Sequence, residues 1–159
     1  MITFTNHTLA FDPLALTALD RLIQECFNPD PSFGLADGIA SDLALKRAPA
    51  AVIAWADEEA VGFKLGHARG RGEFYSWLGG VSVGYRRRGI ARLLMERQHE
   101  WCRDQGYQRV STEALNDNQA MLILNLSCGF TIRGVRSDRR GLKVLMERDL
   151  SEAEGGRSI

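Results

Sequence analysis

The 159-residue chain carries twenty basic and twenty acidic residues, a formal net charge of zero, and is 45% hydrophobic. That size suits one domain with a sizeable core, and the even balance offers no bulk attraction to nucleic acid or to a membrane surface. No apolar run approaches the roughly 18 residues of a spanning helix, and the start from Met1 to His7 lacks the regions of a signal peptide, so a cytoplasmic protein is expected.

In chain order, Ile2 to Thr5 reads as a first strand, and Asp12-Pro13 as a cap with proline at the first helical position. Leu19, Leu22, Ile23 and Cys26 then recur at helical spacing to about Phe27, where Asn28-Pro29-Asp30-Pro31-Ser32 breaks the pattern. A second helix is expected from Ala36 to Arg47. Ala50 to Ala56, the turn Asp57-Glu58-Glu59 and the alternation Val61-x-Phe63-x-Leu65 make a hairpin. Gly70-Arg71-Gly72 is the next turn, and Glu73 to Val83 a long strand containing Gly79-Gly80, which predicts a bulge or a close backbone approach.

From Gly89 to Gln105, Ile90, Leu94 and Trp101 share a stripe with Leu93 beside it, Arg92 and Glu96 can pair, and Gly106 closes the helix. Arg109 to Leu115 is a strand, and Asn116-Asp117-Asn118 caps a helix from Gln119 to Ser127. Strands Phe130 to Arg136 and Leu142 to Leu150 follow, joined by a basic turn, and residues 151–159 read as a disordered tail. Residues 1–150 thus form one domain. Cys26, Cys102 and Cys128 are odd in number and sit in apolar segments, which predicts buried free thiols; neither a Cys-His nucleophile nor a metal site has the spacing to support it.

Chemistry concentrates between Gly79 and Leu94, where a strand meets an amphipathic helix through a short glycine-bearing, arginine-rich turn. The first turn of a helix exposes backbone N–H groups and about half a positive charge, so it binds phosphate where no side chain blocks the approach. Gly84 and Gly89 have the separation of a Walker A loop, but Ile90 and Ala91 stand where that loop needs Lys and Ser or Thr. The Gly-x-Gly-x-x-Gly spacing of dinucleotide binders is missing as well.

The remaining pattern, Arg86-x-x-Gly89-x-Ala91 after Val81, resembles the acyl-CoA motif of the GNAT superfamily of N-acyltransferases. Asn118, Leu124 and Gly129-Phe130 resemble its downstream segment, and the expected element order matches. The resemblance implies a mixed α/β fold: a mostly antiparallel sheet of six to seven strands, splayed between the fourth and fifth, with about four flanking helices. It implies acetyl-CoA as cosubstrate, without metal, held by Gly80, Val81 and Val83 on the strand, by Arg86, Arg87, Arg88, Gly89, Ile90, Ala91 and Arg92 at the turn, and by Asn118 and Asn125 beyond. Phe33, Leu35, Tyr75 and Trp77 are candidates for the acceptor wall.

Two protons must move in such a reaction: an amine acceptor arrives as ammonium, and the thiolate must leave. Glu113, five positions before Asn118, matches the catalytic glutamate of the ribosomal-protein alanine N-acetyltransferases in this superfamily, with Glu73 as the reserve. An ion pair of Glu113 with Arg109 or the Arg139-Arg140 turn is the competing reading. Many family members carry a tyrosine four residues before the Gly-Phe; here Asn125 stands there, able to donate a hydrogen bond but not to act as an acid. The expectation is an acetyl-CoA-dependent N-acetyltransferase using direct transfer to a protein, peptide or small-molecule amine. A non-catalytic acyl-CoA-binding module is the alternative; neither membrane nor nucleic-acid partners are expected, and a homodimer stays open.

Overall fold

The computed structural model describes residues 1–8, 10–27 and 38–151. Phe33, Leu35, the break at 28–32, the expected start of the second helix at Ala36, and the tail at 152–159 lie outside the described residues. The elements are β1 (Ile2–Thr8), α1 (Pro13–Phe27), α2 (Ile39–Ala44), β2 (Ala50–Ala56), β3 (Glu59–Ala68), β4 (Glu73–Val81), a 3-10 turn (Val83–Tyr85), α3 (Ile90–Asp104), β5 (Arg109–Leu115), α4 (Gln119–Ser127), β6 (Thr131–Asp138) and β7 (Gly141–Asp149). They build one mixed sheet in the order β1-β2-β3-β4-β5-β7-β6, antiparallel throughout except where β4 meets β5.

Helix α1 begins where the sequence places it, because the Asp12 carboxylate accepts from the Ala15 N–H at 2.7 Å. Its apolar face buries Leu19, Leu22 and Ile23 against Ile53, Phe63, Leu65 and Leu78 on one side of the sheet. Truncating Leu19 or Leu22, both fully buried, would cost about 2–5 kcal/mol. The Asp20 carboxylate accepts from the Ile39 N–H at 2.7 Å, which fixes α2 against α1. Helix α3 covers the other side: Ile90 and Leu94 pack on Val52, Ala54 and Val61, while Met95 and Cys102 pack on Phe74, Val110 and Met146.

The buried face of α3 differs from the expected stripe. Met95, Gln98, His99 and Cys102 are buried, Trp101 is half-buried and Leu93 is exposed. Polarity hid this face, since Gln98 and His99 do not register in an apolar pattern. Arg92 does not pair with Glu96; it donates to Ser127 Oγ at 2.8 Å and Cys128 Sγ at 3.3 Å, clipping α3 to the end of α4. β4 stops at Val81 rather than Val83, because the Ser82 N–H turns back to the Val61 carbonyl and a 3-10 turn begins. Among the described residues, no helix is long and apolar enough to cross a membrane, no cysteine is in a disulfide, and no group of three or more His, Cys, Asp or Glu side chains could hold a metal ion.

Candidate active site

Strands β4 and β5 pair in parallel only from Glu73–Arg109 to Tyr75–Ser111. The Thr112 hydroxyl donates to the Ser76 carbonyl at 2.9 Å, and beyond that tie the strands part. On its other edge β4 carries one extra residue, Trp77, between the pairs Leu65–Leu78 and Gly66–Ser76. An unmatched residue bends a strand and raises its twist. The bulge therefore sits at Trp77 rather than at the glycines. Gly79 and Gly80 serve close approach instead: a Cβ at Gly80 would meet Cys26 Sγ of α1 at 2.7 Å, and one at Gly79 would meet Lys64 Cδ at 3.0 Å.

The fork opens into a cleft of about 680 Å³ between β4, α3 and α4. Of the residues expected around a coenzyme, Gly80, Val81, Arg86, Arg87, Gly89, Ile90, Ala91, Arg92 and Asn118 line it. Gly89 caps α3 with φ 79°, no side chain caps the helix, and nothing beyond its own chain neighbours lies within 4 Å of where a Cβ at 89 would stand. That leaves an open helix N-terminus, suited to an anion. Arg87 also adopts a positive φ of 62°, so the turn is shaped by its backbone. Arg86 folds back and donates from Nε to the Val81 carbonyl at 2.9 Å.

Three expected residues are not brought to the cleft. Arg88 stacks over the Tyr85 ring at 4.9 Å, and Val83 is exposed with its N–H donating to Glu25 Oε1 at 3.0 Å. Asn125 is 1% exposed, its amide donates to Met146 Sδ at 3.6 Å, and it lines neither this cleft nor the cavity beyond. Its neighbours on α4, Met121 and the adjacent Leu124, do line the cleft.

Across the fork lies a second cavity of about 500 Å³, walled by Tyr75, Trp77, His67, Glu113 and a set of lysines and arginines. The two spaces share Phe27, Lys64, Gly79, Asn118 and Met121, so they adjoin. Tyr75 and Trp77, the expected acceptor-wall candidates, both line this cavity. Their rings gather around His67 at centroid distances of 5.5 and 6.1 Å. Burial, then the Glu113 charge, pushes the Tyr75 phenol up, so it stays neutral at pH 7 and can donate.

Glu113 faces this cavity and is held in a fork-to-fork pair: Arg136 Nη2 lies 2.7 Å from Oε2 and Arg136 Nε lies 3.2 Å from Oε1. Lys143 Nζ stands 4.0 Å away. The fork-to-fork partner is therefore Arg136 of β6, and Arg109 pairs with Glu73 instead. Glu73 lines neither space; it pairs with Arg109 at 3.2 Å and Arg69 at 4.0 Å.

Lys64 was missed in the sequence. It lies on β3 opposite Gly79, lines both spaces, is 8% exposed, and has no carboxylate of a described residue within ion-pair distance. Burial lowers its amine to about 8. The available signal was a single lysine interrupting Val61 to Leu65, on a strand that both helical layers cover.

The profile of the Acetyltransferase (GNAT) family matches residues 16–130. The fold superimposes on a GNAT-family protein from Desulfovibrio desulfuricans with a TM-score of 0.78 at 14% identity, covering 95% of this chain and 100% of that one. It matches the ribosomal-protein alanine N-acetyltransferase from Escherichia coli with a TM-score of 0.72 at 18% identity, covering 98% and 100%. A GNAT acetyltransferase from Elizabethkingia anophelis with acetyl-CoA bound gives a TM-score of 0.72 at 13% identity, covering 93% and 97%. No curated protein matches the sequence significantly.

Proposed function

Because the chain belongs to the acetyltransferase (GNAT) family, it is an enzyme of acyl transfer from acyl-CoA, and we propose that the group moved is acetyl and the acceptor a primary amine. The observation that carries this reading is the meeting of two spaces at one fork, an anion cradle on one side and a titratable, aromatic-walled cavity on the other. Arg86, Arg87 and the open first turn of α3 fit a pyrophosphate, and the edge of β4 beyond Tyr75, unpaired with β5, offers backbone groups to an amide-bearing arm. The solved neighbours that are named as an N-acetyltransferase or hold acetyl-CoA favour acetyl and amine.

Acetyl-CoA would supply an activated thioester; the chain supplies position and proton transfer. In the acceptor cavity Glu113, steadied by Arg136, takes the proton of the attacking amine, directly or through a water. As the carbon–nitrogen bond forms and the carbon–sulfur bond breaks, Lys64 gives a proton to the departing sulfur. An acceptor that arrives as ammonium loses two protons, one before attack and one as the amide forms, each passing through Glu113 to solvent, while solvent returns one proton to Lys64. One proton is released per acetyl transferred, so the cycle balances. Cys26 lines the cleft, but burial and then the Glu25 charge push its thiol up, away from the thiolate a nucleophile needs. Transfer is direct.

The test is thiol release from acetyl-CoA with a panel of amines, with the products and the acid-quenched enzyme weighed by mass spectrometry. Acetylated amine with unmodified enzyme is expected. Hydrolysis alone, or an acetylated cysteine that turns over with the reaction, would contradict the reading.

A further inference from the structure

The chain is formally neutral as a whole, yet the wall of the second cavity is not. Among the described residues Lys46, Lys64, Arg136, Arg140 and Lys143 line it, against the single carboxylate of Glu113. Asp138 stands behind the lining, 2.9 Å from Lys143 Nζ and 3.7 Å from Arg136 Nη1. Leaving Arg140 aside, Lys46, Lys64, Arg136 and Lys143 face the two carboxylates found there among the described residues, an excess of two cations.

The excess surrounds the cavity rather than lying on one side. Lys64 is on β3 at the fork, Lys46 follows α2 and rests 4.7 Å over the Trp77 ring, and Arg140 belongs to the exposed turn between β6 and β7. Lys64 is nine-tenths buried and has no counter-ion among the described residues, a costly state unless something else supplies negative charge. Arg136 pairs with both oxygens of Glu113 and Lys143 stands 4.0 Å away, so this one carboxylate is outweighed by the cations around it. A concave, low-dielectric site lined by one sign of charge concentrates ligands of the other sign. The flat faces of Trp77, Tyr75 and His67 add room for an apolar body.

Resting on the reading of this cavity as the acceptor site, we propose that the acceptor carries an anionic group, a carboxylate or a phosphate, beside its amine, and that Lys46 selects it. Polyamines, aminoglycoside-like polycations and lysine-rich peptides are then poor acceptors, because each brings further positive charge into a cationic wall.

The experiment offers acetyl-CoA with matched pairs: tryptophan against tryptamine, phosphoethanolamine against ethanolamine, and spermidine as the polycation. The anionic member of at least one pair is expected to exceed its partner at least tenfold in kcat/KM, and the pair with the larger ratio identifies the anion. Lys46→Glu should collapse that ratio toward one, chiefly through KM. Ratios near one, or spermidine as the best acceptor, overturn the proposal.

A readout without turnover separates this from the transfer reading. With the cleft saturated by desulfo-CoA, the anionic members alone should raise the melting temperature. If they do so while nothing is acetylated, the transfer reading fails and the charge preference stands. Turnover without charge selectivity fails the preference alone, and neither turnover nor charge-selective binding fails both.

Discussion

Lys64 lies across β4 at Gly79: a Cβ at position 79 would stand 3.0 Å from Lys64 Cδ and 3.6 Å from its Nζ. The missing side chain is what lets a buried amine reach the point where the two spaces join. Stability and activity should therefore separate at this residue. The folded amine is lowered to about 8 from 10.5, so between those values the unfolded chain binds more protons and stability rises with pH. Lys64→Met is expected to stabilise the protein at pH 7 by up to about 3 kcal/mol, with the gain fading by pH 10. Turnover should fall by about a hundredfold or more while acetyl-CoA still binds. Urea melts at both pH values and thiol release measure this; a more stable variant with unchanged turnover would remove Lys64 from the mechanism.

Glu113 and Arg136 make a second separable pair. Glu113→Gln should leave acetyl-CoA affinity nearly unchanged and lower kcat by about a hundredfold to ten-thousandfold, with the acid limb of its pH profile lost. The bridge itself is worth little, since Arg136 is 47% exposed in its side chain. Arg136→Gln should thus cost far more in rate than in stability. Equal, small effects of both substitutions on rate would leave Glu113 as an ion-paired strand residue.

His99 sets an acid limit on the fold. Its Nδ1 accepts from Arg148 Nη1 at 2.7 Å, its Nε2 has no hydrogen-bond partner, and burial, then the Arg148 charge, holds its pKa well below 6.5. The unfolded chain takes up a proton near 6.5 that the folded chain refuses, so stability is present above that pH and is lost as pH falls below it. A loss of up to about 1.4 kcal/mol per pH unit is expected from this group. His99→Gln, which keeps an acceptor for Arg148, should show a shallower decline in melts from pH 6.5 to 5; parallel declines would assign the acid sensitivity elsewhere.

The arginine turn should act unevenly. Arg87 lines the cleft, whereas Arg88 rests on Tyr85 outside it. Arg87→Ala is expected to weaken acetyl-CoA binding by about tenfold and Arg88→Ala by less, measured by calorimetry at two salt concentrations. Equal losses that vanish at high salt would point to diffuse attraction rather than a shaped cradle.

What could be read in the sequence was local. Arg86, Gly89 and Ala91 carry their message within one turn, and Asn118 caps α4 through its own neighbour Met121, so both were legible. Glu113 was legible as a strand residue near the fork, but its partner was not, because Arg136 reaches it through the register of β6 on β7 and of β7 on β5. The face of Asn125 depends on how α4 rolls against Met146, which an apolar helix with polar residues only at its ends does not specify. Lys64 was hidden for a related reason: alternation marks Phe63 and Leu65 as inward, and only the second helical layer, α3 and α4, makes the opposite face inward as well.

Acyl-CoA binding centres on the cradle at Gly89, and calorimetric titration of acetyl-CoA into the wild type, Gly89→Ala and Gly89→Glu tests this most directly. Both substitutions carry the strain of a side chain at φ 79°, but only glutamate adds bulk and negative charge where nothing beyond the chain neighbours now lies within 4 Å. Wild type and Gly89→Ala should bind, and acetyl-CoA should raise their melting temperatures, by about 2.7 kcal/mol of stabilisation at a hundredfold excess over the dissociation constant. Gly89→Glu should remain folded and bind at least a hundredfold more weakly. A folded Gly89→Glu that binds acetyl-CoA as the wild type does would contradict the placement of the cradle, and with it the assignment of the two spaces at the fork.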